Sequence, residues 1–206
     1  MPELPDIDVY IEKLDERISD QTLAEIRVSK PFLVRSFDPP ISEAAGRRVL
    51  ALQRIGKRIA IKLEPDYWLV LHLMIAGRLQ WRDEAVSIRG KQQLAAFDFS
   101  TGTVLLTEAG SKKRASLFLV RGDESLRAHD PGGIEPLECT LDEFANRLTA
   151  ENRTMKRALT NPRSFSGIGN AYSDEILHAA RLSPIKLTGK LSRDEIARLF
   201  AATGMC

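Results

Sequence analysis

The hydrophobic period of this chain changes once, and that change limits what it can fold into. Up to about residue 120, apolar residues come in short runs of period two, clearest in Arg58-Ile59-Ala60-Ile61-Lys62-Leu63. Such alternation gives a strand one buried face. Strands are expected at Leu23–Ser29, Phe32–Phe37, Val49–Ile55, Arg58–Leu63, Trp68–Leu73, Leu94–Phe99, Val104–Thr107 and Ser116–Val120. Many short strands between turn residues point to a sandwich or barrel-like β domain. Asp130-Pro131-Gly132-Gly133-Ile134-Glu135-Pro136-Leu137 reads as a linker. Beyond it the period is helical, over Leu141–Ala150, Thr154–Leu159, Gly169–Ala180 and Ser192–Ala202. One helix, about Pro5–Ser19, precedes the strands, with Ile7, Ile11, Leu14 and Ile18 on one face. The expected class is α+β: an N-terminal helix and β-sandwich domain over residues 1–130, then a helical domain over 131–206. With 206 residues and 43% hydrophobic content, the chain can bury a real core.

Met1-Pro2-Glu3-Leu4-Pro5 carries the sharpest chemical signal. With Met1 removed, the Pro2 nitrogen is a secondary amine. A free α-amine has a pKa of about 8, so part of it is unprotonated at neutral pH. Such an amine can attack an aldehyde carbon and form an iminium, as a Schiff-base lysine does. Glu3 stands beside it to move protons. The same residues also suit a plain helix start, with Pro5 in the first turn and Glu3 and Asp6 near the positive end of the dipole.

A second region runs from Met155 to Leu177 as helix, glycine-bearing turn and helix. Gly167 and Gly169 permit positive φ and close approach to a partner. Asn170 and Tyr172 supply hydrogen-bonding groups where the second helix begins, a place that suits phosphate. No acid occurs between Asn152 and Asn170, while Arg153, Lys156, Arg157 and Arg163 are basic. A turn between two core helices with a solvated basic face fits equally.

Composition excludes several classes. Net charge is only +2, so any affinity for nucleic acid must come from how charge is distributed. Lys112-Lys113-Arg114 is one local cluster and Arg153–Arg163 another. Two cysteines, Cys139 and Cys206, make neither a disulfide framework nor a metal quartet. A reducing cytosolic setting is expected, with no signal peptide and no apolar run long enough to span a membrane.

Taken together, the two regions resemble the formamidopyrimidine-DNA glycosylase and endonuclease VIII family of base-excision repair enzymes. Pro2-Glu3-Leu4-Pro5 matches its catalytic start. Gly167-Ile168-Gly169-Asn170 with Tyr172, Asp174 and Glu175 matches its helix–two-turn–helix DNA clamp. Gly56-Lys57-Arg58, His72-Leu73 and Gly77-Arg78-Leu79 fall between them in the family's order. The likeness runs from Pro2 to about Phe200.

The resemblance implies a bifunctional glycosylase and abasic-site lyase that binds damaged double-stranded DNA as a monomer, bacterial in type and associated with the nucleoid. A damaged nucleotide, an oxidised purine for a sequence starting this way, would be flipped into a pocket between the domains. Pro2 would attack C1′ of the sugar, and Glu3 would handle protons at the ring oxygen. Lys57 would hold the phosphate near the lesion. His72, Arg114, Lys156, Asn170 and Tyr172 would position neighbouring phosphates, fixing register without reading sequence. Each has a plainer reading. Lys57 could be an edge lysine, His72 a core histidine, and Arg114 part of a solvated basic run.

The departures concern recognition. The family's void-filling methionine aligns with Ile75, with Met74 beside it. Both are apolar and could act as a wedge. As successive strand residues they would point to opposite faces, so only one could serve. The family's Arg-Arg-Phe-Gly loop reads Lys113-Arg114-Ala115-Ser116 here, without the aromatic. Asp6 replaces a usual glutamate. The family's C-terminal zinc finger, with its four cysteines, has no counterpart before Cys206, so no zinc or other cofactor is expected in this chain. A non-catalytic DNA-binding protein that keeps the fold therefore stands as the alternative.

Overall fold

The structure, a computed structural model, describes every residue from Met1 to Cys206. It divides into two compact units, Met1–His129 and Asp130–Cys206. The architecture is α+β, as expected.

The first unit opens with helix α1 (Leu4–Ile18), whose Leu4, Ile7, Leu14 and Ile18 are buried. Eight strands follow: β1 (Thr22–Val28), β2 (Arg47–Ile55), β3 (Arg58–Leu63), β4 (Tyr67–His72), β5 (Gly77–Arg82), β6 (Gln93–Phe99), β7 (Gly102–Glu108) and β8 (Ser116–Arg121). They form one antiparallel order, β5-β7-β6-β1-β2-β3-β4-β8. The β1–β2 junction holds by only two residue pairs, Thr22↔Arg48 and Leu23↔Arg47. Two four-stranded halves result. Their apolar faces share one core with α1, including Ile7, Ile18, Leu63, Leu71, Leu94, Phe97, Leu106 and Leu117. The outer face of β3–β4 is covered at Ala60, Trp68 and Val70 by Leu126 of a short helix α2 (Gly122–Arg127).

The second unit holds α3 (Leu141–Thr149), α4 (Met155–Leu159), α5 (Asn170–Ala179) and α6 (Arg193–Met205). Their faces meet in a core of Phe144, Leu148, Met155, Leu159, Phe165, Ile176 and Leu199, among others. Capping boxes set two of the starts. The hydroxyls of Thr140 and Ser192 accept the N–H of Glu143 and Glu195 at 3.3 and 3.2 Å. Those glutamates accept the cap N–H groups in return at 2.8 and 2.9 Å.

Three local differences separate sequence from structure. Phe32–Phe37 is not a strand. Pro31–Leu33 forms a single 3-10 turn, Val34 makes one isolated bridge to Leu117, and Phe37 is 92% exposed. Pro31 fixes its own φ and has no N–H for a ladder. Gly77–Arg82 is a strand that the pattern concealed, because it is an edge paired only with β7. Helix α2 is too short to show a period.

Candidate functional site

The N-terminus is held by the start of α1. Glu3 is the N-cap residue, and Pro5 occupies the first turn. The Glu3 N–H donates to Asp6 Oδ2 at 2.9 Å, and the Glu3 carboxylate accepts the Asp6 N–H. Asp6 thus closes a capping box that a glutamate would also close. Pro2 is buried and Glu3 is only 3% exposed. The plain helix-start reading therefore holds, and it puts Pro2 and Glu3 inside the fold.

The β2–β3 hairpin brings up Lys57. Ile55 pairs with Arg58, leaving Gly56 and Lys57 as a two-residue loop. Gly56 has φ +57°, whereas Lys57 stays on the negative side. Glycine at the first of two such positions suits a tight hairpin turn. Lys57 is half-buried, and burial lowers its pKa while the nearby Glu3 carboxylate pulls it back up. The acid and the amine therefore share one corner.

Arg54 ties that corner together. Its Nε donates to Asp8 Oδ1 of α1 at 2.8 Å, and its Nη1 to the Gly56 carbonyl at 3.4 Å. The sequence gives no hint of this link, since Asp8 lies 46 residues away.

His72 ends β4, in register with Arg58 of β3 and Ser116 of β8. Burial, then the charges of Arg58 and Lys57, lower its pKa from 6.5 to about 4. At neutral pH it is an uncharged ring, able to donate one N–H to a phosphate but not to act as a cation.

After His72 comes a turn. The Gly77 N–H donates to the Leu73 carbonyl at 2.9 Å. A Cβ on Gly77 would stand 2.2 Å from that same oxygen, so only glycine closes the turn without a shift. Met74 takes φ +54° and is half-buried, whereas Ile75 is 58% exposed. The opposite-face argument fails for this pair because neither residue lies in a strand. Exposure, not alternation, distinguishes them.

The β7–β8 loop is built around Glu108, which the sequence did not single out. This carboxylate is 1% exposed. It accepts the Arg114 N–H at 3.0 Å on both oxygens and the Ala115 N–H at 3.2 Å. The Lys113 ammonium donates back to the Glu108 carbonyl. Lys112 and Arg114 are left exposed. Ala115, at the place of the family's aromatic, is fully buried in the β-unit core.

In the helical unit, Lys156 and Asn170 come together. Lys156 Nζ donates to the Asn170 carbonyl at 3.2 Å and pairs with Asp174. Gly167 has φ +75°, as a turn glycine would, but Gly169 is extended at φ −126°, so only one of the two needs positive φ. Asn170 is exposed at the first turn of α5, and Tyr172 packs half-buried against the helical core.

Residues 1–116 match the formamidopyrimidine-DNA glycosylase N-terminal domain, and residues 133–204 match the H2TH domain of the same enzymes. The chain belongs to the formamidopyrimidine-DNA glycosylase family. A formamidopyrimidine-DNA glycosylase of Moorella thermoacetica is 31% identical over 208 residues, covering 98% of this chain and 75% of that protein. The solved MutM (Fpg) protein of Thermus thermophilus is 29% identical with a TM-score of 0.84, covering 99% of this chain and 74% of that one. The Lactococcus lactis enzyme non-covalently bound to DNA containing an abasic site is 25% identical with a TM-score of 0.88, covering 98% and 79%. The family is one of base-excision DNA repair glycosylases.

The four-cysteine zinc site implied by the resemblance does not fit the residues present. Cys139 is half-buried, with Sγ 3.6 Å from the Pro136 carbonyl, and Cys206 is exposed. No group of three or more His, Cys, Asp or Glu side chains comes together. No helix is long and apolar enough to cross a membrane.

Proposed function

We propose that this chain excises oxidised bases, oxidised purines foremost, from duplex DNA and then cuts the strand through an iminium on Pro2. With Met1 removed, the Pro2 nitrogen lone pair attacks C1′ of the damaged nucleotide. The C1′–base bond breaks and the base leaves with a proton. The Glu3 carboxylate takes the proton of the Pro2 nitrogen and passes it to the ring oxygen as the sugar opens, giving an iminium between Pro2 and C1′, while the departing base takes its proton from water. The iminium makes the C2′ proton acidic. Its removal expels the 3′ phosphate, and a second elimination releases the 5′ phosphate. Lys57 stabilises the developing phosphate charge. Lys156 and Asn170 hold the flanking backbone, with His72, Arg114 and Tyr172 as further contacts.

One observation carries this reading: Pro2 and Glu3 are buried at the cap of α1, and the half-buried Lys57 is coupled to Glu3. An amine, an acid and a cation in one corner are what iminium formation and elimination need. The test is borohydride trapping on a duplex with one abasic site, using protein whose Met1 status is fixed by intact mass. A covalent band is expected from the form with free Pro2 and none from the form retaining Met1. Glu3→Gln should slow base excision by about 10²–10⁴-fold. DNA binding without a trapped band would instead make the chain a non-catalytic binder of damaged DNA.

A further inference from the structure

The basic stretch from Arg153 to Arg163 does not act as one surface. Lys156 turns toward Asn170 and Asp174. Ala158, two residues on, lies about 200° further around α4 and lines a cavity of about 340 Å³ on the other side of the helix. Arg147, near the end of α3, and Arg153, Asn161, Arg163 and Ser164, flanking α4, form its walls. Its one acid, Glu151, is paired with Arg153.

Three arginines thus line the cavity beside one carboxylate. The negative end of α3 would account for Arg147 alone. It does not account for Arg163, which has no carboxylate partner either. Arg147 Nη1 donates to the Arg163 carbonyl at 3.3 Å, which ties the two walls together. The polar groups between them are already oriented. Asn161 Oδ1 accepts the Arg163 N–H at 3.1 Å, and its Nδ2 donates to Ser164 Oγ at 3.1 Å. Ser164 accepts there, so its own O–H can point to a ligand. Guanidinium forks and a hydroxyl donor around a small cavity match the oxygens of a phosphate group.

We propose that this cavity is a second phosphate-binding site, separate from the Lys156–Asn170 position. The phosphate could be a diester of the DNA strand, which rests on the DNA reading above, or the phosphoryl group of a free nucleotide, which does not. Two arms separate the sources. In the first, the full chain is titrated with inorganic phosphate and with pyrophosphate while the amide NMR signals of Asn161, Arg163 and Ser164 are followed. In the second, binding to a long duplex is measured against salt.

A free-anion site gives saturable shifts at those amides. It weakens about tenfold in Arg147→Ala with Arg163→Ala, as loss of bidentate charged hydrogen bonds would, and is partly restored by the double lysine variant. A DNA site gives no shifts with small anions but lowers the log–log salt slope by about one in the double alanine variant. No shifts together with an unchanged slope overturns the proposal. The wild-type shifts need no variant, so a misfolded double mutant leaves the first arm intact. Lys156→Ala should leave the shifts in place. Borohydride trapping reports on Pro2 alone, so failure of that chemistry remains distinguishable from failure here.

Discussion

The Pro2–Glu3–Lys57 corner and the two loop tips, Met74–Ile75 and Ser111–Arg114, belong to the same β unit but are built differently. The corner is buried and braced by a capping box, a tight hairpin and the Arg54–Asp8 pair. The tips put Ile75, Lys112 and Arg114 into solvent. The pattern of the family resemblance is kept at Pro2, Glu3 and Lys57 and altered at the tips. Groups proposed to make and break bonds must sit within a small tolerance, which packing provides. Groups that meet a partner can be exchanged without disturbing the core.

If that contrast is right, Lys57→Ala should have the largest effect, cutting strand cleavage on abasic duplex by about 10²–10³-fold with little change in melting temperature. Lys57→Arg should keep much of the activity. Burial lowers the Lys57 pKa, so wild-type activity should fade on the alkaline side earlier than that of the arginine variant. Single-turnover rates across pH check both. Cleavage by Lys57→Ala at the wild-type rate would erase the contrast.

His72 comes next. Its pKa is about 4 in the fold against an ordinary 6.5, so the native state favours the neutral ring. The unfolded chain takes up a proton first as pH falls below 6.5. The stability this ring contributes is therefore present above 6.5 and is lost as pH drops toward 4. The shift amounts to about 3 kcal/mol in order of magnitude. Urea unfolding of His72→Gln should show a flatter pH dependence across that window.

The smallest effect is expected at the tips. Ile75→Ala should slow excision from duplex DNA by roughly tenfold, about the value of one exposed apolar side chain inserted into a stack. Met74→Ala should do less. The reverse order, in rates on matched duplexes, would make Met74 the wedge.

Much of the fold was legible because periodicity reports burial. The alternation at Arg58–Leu63 and the α1 face of Ile7, Leu14 and Ile18 mark residues that do face the core. Phe32–Phe37 misled because apolar content alone does not make a strand beside Pro31. In the site, Pro2, Glu3 and Lys57 could be read from short motifs. Arg54 and Glu108 could not, because their partners are set by the fold or by a loop whose backbone N–H groups leave no mark in a sequence. The neutrality of His72 comes first from burial and then from the charge of Arg58, which strand register sets beside it.

The Glu108 carboxylate has one more consequence. Because it already holds the N–H groups of Arg114 and Ala115, the β7–β8 loop has its shape before any strand arrives. On the reading proposed above, little backbone entropy would then be lost on contact between Arg114 and DNA. The backbone that carries Arg114 is fixed in advance, and only its exposed side chain is left to adapt.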